Sequence, residues 1–367
     1  MNAAPSARQT GVRAAATGGA AVVVVGAGVT GLLTAVECAL AGHRVTVVDR
    51  GPIPNPRSSS FDQHRVIRTF SPDDPDATRR MTAARRRWQD LEALLGTPFH
   101  RRVGVVTARP RERLAALAAS AAAAGIRVRT VEPRTLPLLA FPPDSAGLLE
   151  VDGGVLLAQR VLRAAARRLE GHPAVTLRPY TEVTGIDTDC GKVRLAGGQR
   201  LGADLVLAAA GPWTRDLVGP PVVLHRQTMV YLHPPADAAR WWEHAPAAGG
   251  LGADGRAWAV PPGDGTLLKI SSDAVCRPVD TTADCAAEDQ EPWAERLAAA
   301  APLTGLHRYT VAAVKPCHYA ADADTGGALL ARVGPGVWSR PACGGSGFSA
   351  APLVADRIVD VLREGAA

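Results

Sequence analysis

The sequence of 367 residues lacks any apolar run of the ~18 residues needed to cross a bilayer, and aromatic residues make up only 4% of it. Its first twenty residues are rich in Ala and Arg but contain no apolar segment like that of a signal peptide. We therefore expect neither secretion nor membrane insertion. A composition of 47% apolar and 21% charged residues predicts a globular protein rather than a disordered one.

Close cysteine and histidine spacings are also missing. No two of the six cysteines form the CxxC pair of a zinc or redox site, and the nine histidines show no ligand spacing, so no metal site is predicted. A chain of this length needs no disulfide framework, and a reducing cytoplasm is the expected compartment. The cysteines are Cys38, Cys190, Cys276, Cys285, Cys317 and Cys343.

Basic residues outnumber acidic ones, 41 to 35, which gives a net charge of +6. Many of them are clustered in helix-like stretches, and no aromatic platform or nucleic-acid motif accompanies these clusters. We interpret them as solvated helix faces and expect no nucleic-acid partner. The clustered residues are Arg79, Arg80, Arg85, Arg86, Arg87, Arg167 and Arg168.

Residues 21–48 have the pattern of a strand, a helix and a second strand. Ala21–Val25 is a short β-branched run, Thr30–Leu40 has helical periodicity and is closed by Gly42, and Arg44–Val48 is again strand-like. This order predicts a βαβ unit. The residues before it, 1–20, are expected to form a flexible extension.

A glycine-rich segment, Gly26-Ala-Gly28-Val-Thr-Gly31, joins the first strand to the helix, and Asp49 follows the second strand. Gly26 permits a tight turn, Gly28 lets a pyrophosphate approach the helix N-terminus, and Gly31 lets helix and strand pack closely. Asp49 can accept hydrogen bonds from ribose hydroxyls. The segment predicts dinucleotide binding, with a purely structural turn as the alternative, but it does not choose between FAD and NAD.

The remaining pattern predicts an α/β (α+β) fold of two domains. The apolar run Asp204–Ala210 indicates a central strand, and Val337–Ala342 precedes a glycine-rich turn and an amphipathic helix, Ala350–Arg363. Short alternating runs between Val222 and Tyr309 suit a mixed or antiparallel sheet. We expect a discontinuous Rossmann-like domain of residues 21–100, 151–220 and 315–367, and a substrate domain of residues 101–150 and 221–314.

Five motifs, in their order and spacing, resemble the D-amino-acid oxidase superfamily of FAD enzymes, and within it the family of monomeric sarcosine oxidase and N-methyltryptophan oxidase. The resemblance covers Val22 to Leu362. It implies that the Rossmann-like domain binds FAD and that a monomeric enzyme oxidises a small secondary or cyclic amine, or an amino-acid-like substrate, with dioxygen. The motifs are the glycine segment, Arg65-Val-Ile-Arg68, Leu268-Lys269, Lys315-Pro-Cys317-His-Tyr319 and Gly345-Ser-Gly-Phe348.

The resemblance implies a role for several side chains. Cys317 matches a cysteine joined through its sulfur to the flavin, in an electropositive setting that Lys315 could supply; an unreactive buried thiol is the alternative. Lys269 matches a lysine that helps dioxygen accept electrons. Arg65 matches a group beside the flavin and Arg68 a contact of the substrate carboxylate, both on one side of a helical or turn segment.

Other residues are implied to bind the cofactor. They lie after the second strand, after the apolar run and in the closing glycine loop, in addition to Gly26, Gly28, Gly31, Asp49 and Arg65: Arg50, Gly211, Gly345, Gly347, Phe348 and Ser349.

Three positions depart from the family pattern. Ser349 replaces a lysine of the carboxylate clamp, and Asp273 replaces a histidine and could attract a cationic amine. Ala257 and Trp258 stand where tyrosines are expected, which leaves an aromatic wall without a hydroxyl. The departures argue against sarcosine itself and favour a cyclic, larger or more basic amine.

Two other functions share the same first βαβ unit. One is an FAD-dependent dehydrogenase or monooxygenase that uses NAD(P)H or another electron acceptor. Residues 344–348 stand where a monooxygenase would have a Gly-Asp segment that binds the ribityl chain, which weighs against that reading. The other is a non-catalytic subunit that carries FAD.

Overall fold

The computed structural model describes residues 19–219, 221–282 and 291–366. The predicted extension therefore lies outside the described residues except for Gly19 and Ala20, and so does Cys285. The helices of the described chain, numbered in sequence order, are α1 Val29–Leu40, α2 Pro75–Leu94, α3 Leu114–Ala123, α4 Ala158–Glu170, α5 Thr214–Leu217, α6 Ala236–His244, α7 Glu291–Ala299 and α8 Ala351–Ala366.

The strands are numbered in the same way. They are β1 Ala21–Val25, β2 Arg44–Val48, β3 Arg65–Ile67, β4 His100–Arg101, β5 Val105–Pro110, β6 Val128–Val131, β7 Ser145–Glu150, β8 Gly154–Leu156, β9 Val175–Arg178, β10 Val183–Asp187, β11 Lys192–Leu195, β12 Arg200–Gly202, β13 Leu205–Ala208, β14 Val222–His233, β15 Ala247–Leu251, β16 Ala257–Val260, β17 Leu268–Ser272, β18 Cys276–Pro278, β19 Thr310–Asp322, β20 Ala328–Gly334 and β21 Val337–Cys343.

A six-stranded sheet contains the predicted βαβ unit, in the order β20-β21-β13-β1-β2-β9. All neighbours are parallel except β20 and β21. Its central strands β1 and β13 are continuous apolar runs because both faces are covered: α1, α4 and α8 pack on one face, and a three-stranded sheet of β10, β11 and β12 on the other. The Rossmann-like fold is therefore confirmed, and its strands come from both halves of the chain.

A nine-stranded sheet forms the second part of the fold, in the order β18-β14-β17-β16-β15-β5-β7-β6 with β19 also paired to β14. Its pairs are antiparallel except β5 and β15, so the expected mixed sheet is confirmed. The predicted domain boundary between residues 314 and 315 falls inside β19, which pairs with β14 along its length. The division of the chain into domains stays a prediction.

The segment Arg65-Val-Ile-Arg68 contains a strand, β3, over its first three residues rather than the helical or turn segment that we expected. Val66 and Ile67 are β-branched, and β3 pairs with β8 in a small sheet that also contains β4. Arg68 lies just beyond the end of this strand. Within the described residues, every helix is too short or too polar to cross a lipid bilayer.

Candidate active site

One large cavity, of about 850 Å³, extends from the carboxyl ends of β1 and β13 to one face of the nine-stranded sheet. Every site residue predicted from the sequence lines it except Gly31. The lining includes Gly26, Gly28, Asp49, Arg50, Arg65, Arg68, Gly211, Trp258, Lys269, Asp273, Cys317, Gly345, Gly347, Phe348 and Ser349.

The glycines of the opening turn are required by its backbone. Gly26 has a φ of +103°, and a Cβ there would lie 2.6 Å from the carbonyl oxygen of Ala209. Gly31 lies behind the turn, where a Cβ would lie 1.9 Å from the carbonyl oxygen of Gly26. The helix that follows, α1, has no side-chain cap from Gly28, and Gly28, Val29 and Thr30 at its N-terminus line the cavity.

Asp49 holds the same turn in place. One carboxylate oxygen accepts a hydrogen bond from the Ala27 N–H at 2.9 Å, and the other accepts from the Gly51 N–H at 2.9 Å and from Asn55 Nδ2 at 2.7 Å. A carboxylate has about four lone-pair sites, so about one is left for a ribose hydroxyl. The Arg50 guanidinium beside it lies 4.2 Å from the centre of a Trp213 ring.

A run of three serines, which the sequence analysis did not single out, connects the two ends of the cavity. Ser60 Oγ accepts a hydrogen bond from the Val29 N–H at 3.1 Å, and Ser59 Oγ donates to the carbonyl oxygen of His318 at 2.6 Å. Within the described chain, Ser58 Oγ is buried without a partner, and Ser58 lines the cavity. The sequence signal that could have pointed to these serines is the run Arg57-Ser-Ser-Ser, which lies between the glycine segment and Arg65-Val-Ile-Arg68.

Lys269 lies at the other end of the cavity, where only 2% of its side chain is exposed. Its Nζ donates hydrogen bonds to Asp62 Oδ2 at 2.8 Å and to the carbonyl oxygen of His64 at 2.7 Å, and lies 5.8 Å from the centre of the Trp258 ring. Burial lowers the pKa of Lys269, and the nearby Arg65 lowers it further. The contact with Asp62 opposes both effects because it favours the ammonium form.

Asp62 is the principal residue that the sequence analysis missed. Besides Lys269, its carboxylate accepts hydrogen bonds from Arg65 Nη1 and, at 2.6 Å, from Tyr231 Oη. A single carboxylate thus holds an ammonium and a guanidinium group side by side. Its position three residues before Arg65 is the sequence signal that could have pointed to it.

Cys317 is partly buried and lines the cavity from β19, opposite Gln227 of β14. Burial raises the pKa of its thiol, and Arg65 and Lys269 lower it. The expected electropositive setting therefore comes from these two cations. Lys315 does not supply it, because its Nζ lies over the ring of Tyr231, 5.6 Å from the ring centre.

The closing glycine loop borders the cavity beside Cys317. Gly345 has a φ of +76°, and a Cβ there would meet nothing closer than a Tyr319 ring atom at 4.0 Å. Phe348 stacks on Trp88 with ring centres 5.5 Å apart. Ser349 donates from Oγ to the Val66 carbonyl oxygen at 3.2 Å, so its hydroxyl is already used to join the loop to β3.

Trp258 lies on β16, and Asp273 directly follows the neighbouring strand β17; both line the cavity. Asp273 is exposed, and its backbone N–H donates to the carbonyl oxygen of Arg256. Arg109, on β5, also lines the cavity and was not singled out from the sequence. Among the described residues there is no group of three or more His, Cys, Asp or Glu side chains that could hold a metal ion.

Known proteins are similar to this chain in sequence or in fold. Two sarcosine oxidases, the peroxisomal enzyme of Mus musculus and the monomeric enzyme of Bacillus sp. (strain B-0618), are 30% and 25% identical over 212 and 206 residues. Each match covers 54% of this chain and 52% of the relative, so the chain spans about half the length of the curated relatives it matches.

Two solved structures have the same fold at low sequence identity. Fructosyl amine:oxygen oxidoreductase (Amadoriase I) from Aspergillus fumigatus has a TM-score of 0.76 at 16% identity, covering 94% of this chain and 87% of that one. NikD, an unusual amino acid oxidase essential for nikkomycin biosynthesis, has a TM-score of 0.76 at 20% identity, covering 94% of both chains.

A family model reaches over almost the whole chain. The model described as FAD dependent oxidoreductase, abbreviated DAO, matches residues 21–361. This match includes the opening turn, the buried lysine, Cys317 and the closing loop. The chain therefore belongs to the family of FAD-dependent oxidoreductases.

Proposed function

We propose that the protein is a flavin-dependent oxidase that converts a small secondary or cyclic amine, or an amino-acid-like substrate, to an imine and transfers the electrons to dioxygen, giving hydrogen peroxide. The observation that carries the proposal is the buried Lys269, whose ammonium group is held by Asp62 in the same cavity as a nucleotide-binding turn. The sarcosine oxidases and the fructosyl amine oxidase to which the chain is similar support an amine substrate.

The residues of the cavity fit an FAD. The glycine turn and the N-terminus of α1 would offer a pyrophosphate the backbone N–H groups that Asp49 and Ser60 do not already bind. Within the described chain, the unpartnered hydroxyl of Ser58 is a further polar group that a ligand could satisfy. Gly345 leaves space that a side chain would fill. A volume of about 850 Å³ lies within the range typical of cofactor pockets.

We assign the two ends of FAD accordingly. Gly26, Gly28, Asp49 and Arg50 would hold the adenosine and pyrophosphate end, with Gly31 acting through the packing of α1. The flavin end would be bordered by Arg65 and by the loop that contains Gly345, Gly347, Phe348 and Ser349. Gly211, which follows β13, would contact the cofactor between its two ends. When bound, FAD supplies the acceptor for the hydride that leaves the substrate carbon.

We further propose that Cys317 joins the protein to the flavin through its sulfur. The bond requires a thiolate, and Arg65 and Lys269 both stabilise negative charge on this sulfur. The monomeric sarcosine oxidase among the relatives supports a monomer that works without a second subunit.

Lys269 is assigned to the half-reaction with dioxygen. Electron transfer to dioxygen develops negative charge, and a fixed cation in a site with little water stabilises that charge strongly. Asp62 and the carbonyl oxygen of His64 orient the ammonium group. Trp258 would form an apolar wall for the substrate, and the exposed carboxylate of Asp273 would attract a basic amine at the entrance.

The proposal is tested with the purified flavin-containing protein and a panel of primary, secondary and cyclic amines, with and without a carboxylate. Mixing without oxygen should bleach the flavin for at least one amine, and admission of air should restore the colour and release hydrogen peroxide. A flavin that no amine bleaches but that NADPH reduces would instead favour the dehydrogenase or monooxygenase reading.

A further inference from the structure

One row of residues crosses the carboxyl edge of the six-stranded sheet. The strands β2, β1, β13 and β21 are parallel neighbours and are paired in register up to this edge, so the residues that directly follow the last paired ones form a row. In strand order, these residues are Asp49, Gly26, Ala209 and Arg340. All four line the cavity. Because ligands of open parallel sheets bind at the carboxyl ends of the strands, we expect the row to run along the cofactor.

The order of the strands places Arg340 towards the flavin end of this row. Asp49 and Gly26 belong to the proposed adenosine and pyrophosphate end, and neighbouring strands lie about 4.8 Å apart, so the backbone of Arg340 lies about 14 Å from that of Asp49. Three residues after Arg340, Cys343 leads into the closing glycine loop. Electrostatic contacts connect Arg340 with Cys343, and Cys343 with Cys317. The guanidinium group is thus on the side of the cavity where we propose that the flavin is joined to the protein.

The protein supplies no counter-charge to Arg340. Its side chain is partly buried, and among the residues that the structure describes it forms no hydrogen bond or ion pair. The carboxylates in the cavity lining are Asp49, Glu182, Asp216 and Asp273. Asp49 is bound by the opening turn, and Asp216 contacts Arg215 at 3.4 Å. A partly buried guanidinium group that faces a cavity without such a partner indicates a negative charge on the ligand.

Reduction of the flavin would place a negative charge at this end of the cavity. Hydride transfer brings two electrons and one proton to the ring and leaves an iminium ion on the amine, so the ring gains one negative charge. A fixed cation in a site with little water stabilises such a charge strongly. The pyrophosphate is the other negative group of FAD, but Gly26 of the opening turn lies two strand spacings, about 10 Å, from Arg340.

We propose that Arg340 is a cation beside the flavin, where it stabilises the negative charge of the reduced ring and thereby raises the reduction potential. This role differs from that of Lys269, which belongs to the nine-stranded sheet and is assigned to dioxygen. The inference rests on the proposed position of the flavin, but not on the oxidase activity.

The test measures the reduction potential, with neither amine nor dioxygen present. The purified flavin-containing protein is reduced in steps beside a reference dye of known potential, and absorbance gives the reduced fraction of each. We expect Arg340→Gln to make reduction of the flavin at least about tenfold less favourable, which is the worth of one hydrogen bond to a charged group. For a two-electron couple, a tenfold change lowers the potential by about 30 mV.

Three further variants separate charge from packing. Arg340→Lys keeps the charge and should retain most of the potential. Arg340→Met removes the charge but keeps a long side chain, so it should lower the potential as Arg340→Gln does and replaces that variant if the latter does not fold. Arg332→Gln is the matched control, because Arg332 is exposed on the neighbouring strand β20, outside the cavity lining; it should leave the potential unchanged.

The proposal is overturned if the two uncharged variants keep the wild-type potential, or if Arg340→Lys lowers the potential as much as they do. It is also overturned if the uncharged variants lose bound flavin while the flavin that remains has an unchanged potential, because Arg340 would then bind the pyrophosphate. Failure of the oxidase function has a different signature. In that case no amine would reduce the flavin, while the potential would still depend on Arg340.

Discussion

The nucleotide end of the cavity is shaped by backbone, and the substrate end by long polar side chains. At the first end, Gly26 and Gly31 leave room for a tight turn, and the order strand, glycine segment, helix, strand lies within 30 residues of sequence. At the second end, Lys269 lies 207 residues along the chain from Asp62, and Asp62 and Arg65 belong to one short segment. The proposed cofactor-binding end is thus set by local sequence, whereas the proposed catalytic end depends on tertiary contacts that can change one residue at a time.

The largest effect is expected at the nucleotide end. In Gly31→Ala the new methyl group would meet the carbonyl oxygen of Gly26 at 1.9 Å, so α1 cannot approach β1 and the turn cannot form. We expect a protein without bound flavin, or none that folds, measured as the ratio of absorbance at 450 nm to 280 nm. Gly197→Ala is the control, because nothing lies within 4 Å of that position. Normal flavin content in Gly31→Ala would refute the packing argument.

At the substrate end, Lys269→Met should separate the two half-reactions. Loss of the buried cation should slow flavin reoxidation by about 100- to 1000-fold, the cost of removing one group that stabilises developing charge. Flavin reduction by the amine should change far less. Stopped-flow absorbance measures both rates, and equal slowing of the two would contradict the role of Lys269 in the reaction with dioxygen.

A smaller, pH-dependent effect is expected for Asp62→Asn. Burial and Arg65 lower the pKa of Lys269, and removal of the Asp62 charge would lower it further. If the ammonium form is the one that assists dioxygen, reoxidation is fast at low pH and slows as pH rises through this pKa. The variant should therefore lose its fast reoxidation at a lower pH than the wild type.

The measurement is the reoxidation rate across pH. An unchanged pH profile in Asp62→Asn would show that Asp62 does not hold the charge on Lys269. Thr82→Ala, on α2 and away from the cavity lining, serves as the control for nonspecific loss of structure.

The smallest effect is expected for Ser349→Lys, which restores the residue that the family resemblance implies. A second cation near β3 should tighten binding of small amino acids such as sarcosine by about two- to fivefold, the worth of a partly exposed ion pair. The readout is KM for sarcosine, or the Kd of its flavin difference spectrum. An unchanged value would mean that the substrate carboxylate lies elsewhere in the cavity.

The sequence predicted the fold well because its signals are local. The βαβ unit, the buried strand that contains residues 205–208 and the closing loop with its helix are each set by a short run of residue types. The antiparallel character of the second sheet was also visible in its short alternating runs.

Contacts between residues that are far apart in the chain could not be predicted from the sequence. Asp62 and Lys269 are 207 residues apart, and the hydroxyl of Ser349 bonds to Val66 over 283 residues, so no spacing rule connects them. The same limit explains the misjudged role of Lys315. We expected Lys315 to act on the Cys317 thiol because the two are close in sequence, but Arg65, from another sheet, is the cation that lowers the pKa of this thiol most. The Nζ of Lys315 lies over the Tyr231 ring instead.

The central claim is that the flavin lies at the end of the cavity where Cys317 and Lys269 meet. The most direct test is to precipitate the purified protein with acid and ask where the yellow colour goes. We predict that it stays with the wild-type polypeptide, that the flavin is found by mass spectrometry on the peptide containing Cys317, and that Cys317→Ser releases it. Colour in the supernatant of the wild type, or flavin on another cysteine, would contradict the account.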